Sequence, residues 1–332
     1  MEKYKFALAG NIIVDAVKYI DFLPEKLQLS AIERVENQLG GLVNNVGRTL
    51  AKLDPAAKTA VIGWIGEDAE GDFVLRELAK YPCLDTRFVK RQGKTSFTDV
   101  FTLIRTGERT FFTYKGADSL LAPEDIPYAE IQGAILHMGY ALLLSGMDAP
   151  DAEYGTVLAR TLAMARERGI ITSVDVVSES GDRFERVVRP ALKHADYLTV
   201  NDYEAGRITG IPLRDAQENL QMERLPQVCR ALKDMGVKRW AVVHMPEIAC
   251  GVDEEGRYWE AKSLNLPKGF IKSSVGAGDA FVAGLLYEAQ RGSNMPAALR
   301  AANAVAASCL SQEGVQPMSE VMKLYDRFPV RV

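Results

Sequence analysis

The chain has 332 residues, 47% of them hydrophobic, with 40 Lys and Arg against 44 Asp and Glu and a formal net charge of −4. This composition supplies a large globular core, and an acidic balance without any Lys/Arg run excludes a nucleic-acid surface. No apolar run reaches the roughly 20 residues of a membrane span, and Asn11 and Asp15 break the apolar N-terminal stretch, which does not read as a signal peptide.

A strand-like run at Lys5–Ala9 opens the chain, and Asp15–Gln38 holds no clean helix. Helical spacing follows over Val43–Leu53, with Val43, Val46, Leu50 and Leu53 on one face. Next come a strand at Ala60–Ile65 and a helix at Asp72–Lys80. Residues Gly93–Gly116 read as strands through Phe97, Val100, Phe101, Leu103, Thr110, Phe111 and Phe112, with a turn at Thr106-Gly107-Glu108. Strands at Ala134–Met138, Ile170–Val174, Tyr197–Val200 and Trp240–Val243 then accompany helices at Ala152–Glu167, Arg183–His194 and Met295–Ser311. Such alternation defines the α/β class: a mostly parallel sheet with helices on both faces and ligands beyond the C-terminal strand ends. Segments 15–38 and 93–116 break the alternation and predict a small antiparallel β-sheet apart from the main one. Cys83, Cys229, Cys250 and Cys309 lack C-x-x-C spacing, and His137, His194 and His244 lack metal-ligand spacing. The expectation is a soluble, cytoplasmic protein with reduced thiols.

The most informative segment is Ser274-Val275-Gly276-Ala277-Gly278-Asp279 and the helix it opens, where Val282, Leu285, Leu286 and Ala289 share a face. A helix start presents unpaired N–H groups and partial positive charge. Gly276, Ala277 and Gly278 let an anion approach them closely. Asp279 would repel a phosphate, so it makes sense as the base taking a proton from an attacking hydroxyl. The plainer reading is a first-turn helix residue after an ordinary glycine turn. No G-x-G-x-x-G follows the first strand, where Gly10-Asn11-Ile12-Ile13 stands, which argues against a dinucleotide-binding dehydrogenase.

Val275–Gly284 resembles the second signature of the PfkB, or ribokinase-like, carbohydrate kinases, and Gly40-Gly41-Leu42-Val43-Asn44-Asn45 resembles the first. The resemblance runs from about Phe6 to about Pro317. It implies a three-layer α/β/α ribokinase-like domain over 1–332, with segments 15–38 and 93–116 inserted as a β lid. It also implies an ATP-dependent phosphotransferase acting on a hydroxymethyl group of a small sugar, of ribose or fructose type, with Mg²⁺. A nucleoside kinase of the same family, or a catalytically weak sugar-binding regulatory protein, are the alternatives.

By position in the family, Asp15, Gly40, Gly41 and Asn45 contact the sugar, with Asn44 as a competitor for Asn45. Asn201 and Glu204 organise Mg²⁺ through water in the family's Asn-x-x-Glu motif, and the same spacing is a helix capping box. Asn303 and Gly314 lie along the nucleotide, and Asn303 equally reads as a polar helix flank. Some family lids pair, so Phe97, Phe101, Phe111 and Phe112 fit either a homodimer or the sugar pocket. Partners implied are sugar and ATP, with no nucleic acid and no membrane.

The chain departs from the pattern in four places. Ile13 stands where an Asn is frequent. Ser273 replaces an Asp that helps hold a monovalent cation, leaving potassium dependence open. His244-Met245-Pro246 replaces Thr-x-Gly, and Val177-Ser178-Glu179 replaces Asn-x-Arg; Arg183 stands near the missing Arg.

Overall fold

The computed structural model describes residues 3–331. The strands in chain order begin with β1 (Phe6–Gly10), β2 (Ile13–Ile20) and β3 (Ile32–Gly40), followed by α1 (Leu42–Leu53), β4 (Thr59–Ile65), α2 (Ala69–Leu78) and β5 (Leu84–Arg91). Next are β6 (Phe97–Leu103), β7 (Arg109–Tyr114), β8 (Ile135–Ala141), the two-residue strands β9 (Pro150–Asp151) and β10 (Gly155–Thr156), α3 (Val157–Glu167) and β11 (Ile171–Val176). The chain continues through α4 (Arg189–Leu192), β12 (Tyr197–Asn201), α5 (Asp202–Thr209), α6 (Leu225–Asp234) and β13 (Trp240–His244). It then forms β14 (Ile248–Val252), β15 (Tyr258–Lys262), α7 (Ala277–Gln290) and α8 (Met295–Leu310).

The main sheet has nine strands in the order β15-β14-β13-β12-β11-β8-β1-β4-β5. It is parallel from β5 to β13, and β14 and β15 add antiparallel. Strand alternation divides β1 between two cores. Ala7 and Ala9 face Leu158, Leu162 and Val228 of α3 and α6. Phe6 and Leu8 face Val46, Leu50, Phe281 and Leu299 of α1, α7 and α8. The result is three layers, α/β/α.

A second sheet, ordered β3-β2-β6-β7, stands apart. Its outer pairs are antiparallel, and its central pair β2·β6 is parallel. Both central strands leave the C-terminal edge of the main sheet, β2 after β1 and β6 after β5, so they enter the small sheet in the same sense.

Two helix predictions shift. The helix expected over Ala152–Glu167 starts at Val157, because the Thr156 hydroxyl accepts from the Ala159 N–H at 3.1 Å and caps it. The stretch Arg183–His194 divides into a π turn at Phe184–Val188 and α4, where Pro190 supplies no backbone N–H.

Candidate active site

Helix α7 starts at Gly276, whose φ of 75° lies in the left-handed region glycine tolerates best. The Ser273 hydroxyl accepts from the Val275 N–H at 3.2 Å and tightens the turn before it. The first helical bond runs from Ala280 N–H to Gly276 C=O at 2.9 Å, and Ala277 N–H turns back to the Ser274 C=O at 3.4 Å, so the Gly278 and Asp279 N–H groups are the ones that point out of the helix start. Gly278 lies against His244: a Cβ there would stand 3.4 Å from His244 Cε1. The imidazole stacks on Phe281 with 4.9 Å between centroids, and burial pulls its pKa down to about 4. His244 therefore supports the loop as a neutral ring. Pro246 lies in the β13–β14 hairpin, closed by Met245 N–H to Ile248 C=O at 3.1 Å.

Asp279 projects from the first turn of α7 and receives two hydrogen bonds. Tyr140 donates its hydroxyl to Oδ1 at 2.5 Å, and Asn45 donates Nδ2–H to Oδ2 at 3.0 Å. Burial raises the Asp279 pKa to about 6; these two donors oppose the rise and Asp15 adds to it. Asp15, on β2, is also raised to about 6 by burial, opposed by Arg109. Its carboxylate occupies the space beside Gly40, where a Cβ would stand 2.3 Å from Oδ2. At Gly41, with φ 85°, a Cβ would stand 2.5 Å from the Asn11 carbonyl oxygen. Both glycines are therefore needed where the chain passes from β3 into α1, close to Asp15 and the Asn11 carbonyl.

Asn44 is fully buried and donates to the Gly40 carbonyl at 2.6 Å. It holds the glycine turn, and Asn45 is the residue that turns toward Asp279. Asp15, Gly40, Asn45 and Asp279 thus lie close together, with Gly41 at the adjoining turn. The sequence reading missed Tyr140 and Asn11 here. Asn11 accepts from the Tyr140 backbone N–H at 2.8 Å and donates to Asp118 at 2.7 Å. The signal for Tyr140 was its place immediately beyond the strand read at Ala134–Met138, where α/β sheets bind ligands.

On the other side of Gly278, an apolar-walled cleft of about 510 Å³ opens, lined by Asn201, His244, Leu264, Ile271, Phe281 and Asn303, among others. Its walls suit the flat face of a nucleotide base. Asn201 and Glu204 form the capping box of α5: Glu204 N–H to Asn201 Oδ1, and Asn201 N–H to Glu204 Oε2, both 2.9 Å. Ser178 donates to Glu204 Oε1 at 2.7 Å and receives Asn201 Nδ2–H at 2.9 Å. Burial raises the Glu204 pKa to about 7. Asn303 lines the cleft but commits its amide N–H to the Ala261 carbonyl of β15 at 2.9 Å. Gly314 is not among the lining residues. It sits at a left-handed turn whose carbonyl accepts from Ser308 at 3.0 Å. Arg183 is engaged with Glu179, Asp148 and the Leu142 carbonyl and is not among the residues lining this cleft.

Between the two halves lies Asp175, 7% exposed. Its pKa is pushed well above the carboxylate range by burial, then by Glu204 and Asp279. Asp15, Asp279, Asp175 and Glu204 form an acidic row that would gain from a nearby divalent cation. Among the described residues no three His, Cys, Asp or Glu converge to cage a metal.

A family model described as pfkB family carbohydrate kinase matches residues 5–322. An ATP-dependent ribose-1-phosphate kinase of Halopiger xanaduensis is 28% identical over 312 residues, 93% of this chain and 92% of that protein. The structure of Arabidopsis thaliana ribokinase complexed with ribose and ATP superposes with a TM-score of 0.77 at 18% identity, covering 97% of this chain and 99% of that one. A ribokinase structure from Thermotoga maritima gives 0.78 at 16% identity, with the same coverage. These likenesses establish the ribokinase-like α/β/α fold. The chain belongs to the pfkB family of carbohydrate kinases.

Proposed function

We propose that this kinase transfers the γ-phosphoryl group of ATP to a hydroxymethyl group of a small sugar of ribose or fructose type. One observation carries the reading: Asp279 stands at the start of α7 with Asn45 and Asp15 on one side and the apolar-walled cleft on the other. Asp15 and Asn45 take the sugar. A carboxylate accepts hydrogen bonds from vicinal hydroxyls, and the Asn amide offers both a donor and an acceptor. Asp279 accepts the proton of the attacking hydroxyl, and the first-turn N–H groups of Gly278 and Asp279 receive the charge that builds on phosphate oxygens. His244 and Phe281 carry the loop from beneath. Asn303 flanks the nucleotide cleft, and Gly314 acts on it only through the turn after α8. The sheet β3-β2-β6-β7 serves as a lid over the sugar, excluding water that would compete as acceptor.

Mg²⁺, when bound, would neutralise phosphate charge. Glu204 and Asn201 would orient its waters through the lone pairs their capping box leaves free. Activity is therefore expected to vanish on chelation and return with Mg²⁺. Ser273 offers no carboxylate, so replacing potassium by a bulky organic cation at constant ionic strength should change the rate little. A large potassium activation would refute that second expectation.

An ADP-release screen over pentoses, hexoses, keto-deoxy acids and nucleosides tests the function. Turnover with at least one neutral sugar supports it. Turnover confined to nucleosides, or none with any acceptor, overturns it.

A further inference from the structure

We infer that Tyr140 is a positioning residue for the phosphoryl transfer: its hydroxyl fixes the carboxylate of Asp279 and keeps it ready to take the substrate proton. This rests on the reading of Asp279 as the base.

The argument begins with the geometry of the carboxylate. Each oxygen of Asp279 has one protein donor, Tyr140 on Oδ1 and Asn45 on Oδ2. With both filled the carboxylate cannot rotate freely, and each oxygen keeps acceptor capacity for a substrate hydroxyl. The two donors come from different elements, Tyr140 from β8 and Asn45 from α1, and the Asn45 side chain also lies beside the Tyr140 hydroxyl. Tyr140 is itself held from behind. Its backbone N–H is bound by Asn11, which is fully buried and tied to buried Asp118. A chain of hydrogen bonds therefore runs from Asp118, after lid strand β7, through Asn11 to the main chain of Tyr140. The phenol stays protonated, because burial and then Asp279 push its pKa well above the usual range. It remains a donor throughout. In the transfer, the substrate O–H proton passes to Asp279, the new O–P bond forms, and the bond from the γ-phosphorus to the bridging oxygen of ATP breaks to release ADP. Tyr140 exchanges no proton.

The other titratable or charged groups facing Asp279 are Asp15 from β2, Asp175 from β11 and Cys309 from α8, with Lys52 and Arg48 of α1 beyond Cys309 and His244 of β13 beneath Gly278. None of these is altered by removing a hydroxyl at position 140, so a moved pH profile would report the Tyr140 bond.

Tyr140→Phe retains the ring and deletes the donor. A hydrogen bond to a charged group holds a carboxylate pKa down by about one unit or more. The acid limb of kcat should therefore move up by about one pH unit, with kcat falling about fivefold at pH 6, approaching about tenfold at lower pH, and activity at high pH retained better. Difluorotyrosine incorporated at position 140 is a stronger donor and should move the limb down; it also decides the matter if Tyr140→Phe does not fold. A limb that stays in place in the variants that fold overturns the proposal. Asp279→Asn, measured alongside, separates the two readings. If it is disabled while the limb ignores Tyr140, only the role of Tyr140 falls. If it turns over normally, the base reading falls and this one with it.

Discussion

In Asp279→Asn, kcat falls by about 10²–10⁴-fold while the ligand-free protein becomes more stable at neutral pH. The first effect follows from the chemistry. The amide preserves size and polarity, and Asn45 can turn its own amide to face it, but no proton can be accepted. Sugar and nucleotide should still bind. The second effect follows from burial. The folded pKa of Asp279 is about 6 against an ordinary 3.8, so between those values the folded chain holds a proton that the unfolded chain releases. The stabilisation is complete below about pH 4 and is lost as pH rises through about 6. The rise is roughly two units, at most about 3 kcal/mol for a group that keeps some solvent contact. An acidic residue in the first helical turn gains only about 0.3–1 kcal/mol from the dipole, so burial wins. The melting temperature of Asp279→Asn should exceed wild type at about pH 8, with the gain gone near pH 4. Near-normal kcat together with a lower melting temperature would make Asp279 a plain helix-start residue and end the mechanism.

What the sequence displayed was local. Gly40-Gly41 and Gly276-Ala277-Gly278-Asp279 are short, contiguous and chemically odd, and each lies where the chain must pass close to something: Asp15, the Asn11 carbonyl, or the His244 ring. The alternation of apolar runs exposed the parallel sheet for the same reason, since a two-sided buried strand such as β1 shows a continuous apolar run. What stayed hidden was pairing at a distance. Tyr140 meets Asp279 across 139 positions, and nothing in a Gly-Tyr step announces the partner. Segment 15–38 showed only the lack of a helix and 93–116 read as strands, but neither carried a record of which strand β2 or β6 would join or in which sense. The Asn201/Glu204 spacing served two readings equally. The capping box is formed. His244-Met245-Pro246 looked like a missing nucleotide contact; it is a hairpin corner that lines the cleft, with its imidazole packed against Gly278 and Phe281.

At the sugar end, Asp15→Ala should raise the sugar KM by roughly 10- to 100-fold and leave the ATP KM nearly unchanged. The magnitude is that of charged hydrogen bonds, about 1.5–3 kcal/mol. Its direction rests on how Asp15 is built in. The carboxylate is buried enough for its pKa to reach about 6, with only Arg109 opposing, and no hydrogen bond among the described residues offsets the burial. A buried carboxylate without donors is costly unless something else supplies them, and vicinal hydroxyls are donors of the right kind. Gly40, lacking a Cβ, leaves the room that the carboxylate fills. Removing Asp15 also removes a negative charge that raises the Asp279 pKa, so the acid limb of kcat should move down, opposite to the shift expected for Tyr140→Phe. The ligand-free variant should melt higher above about pH 6, because the same raised pKa makes the ionised carboxylate a cost to the fold at that pH. Tighter folding with weaker sugar binding separates a ligand contact from a structural one, since a residue that merely satisfied its own loop would lose stability when deleted. Equal weakening toward sugar and ATP, or none toward either, would remove Asp15 from the sugar site.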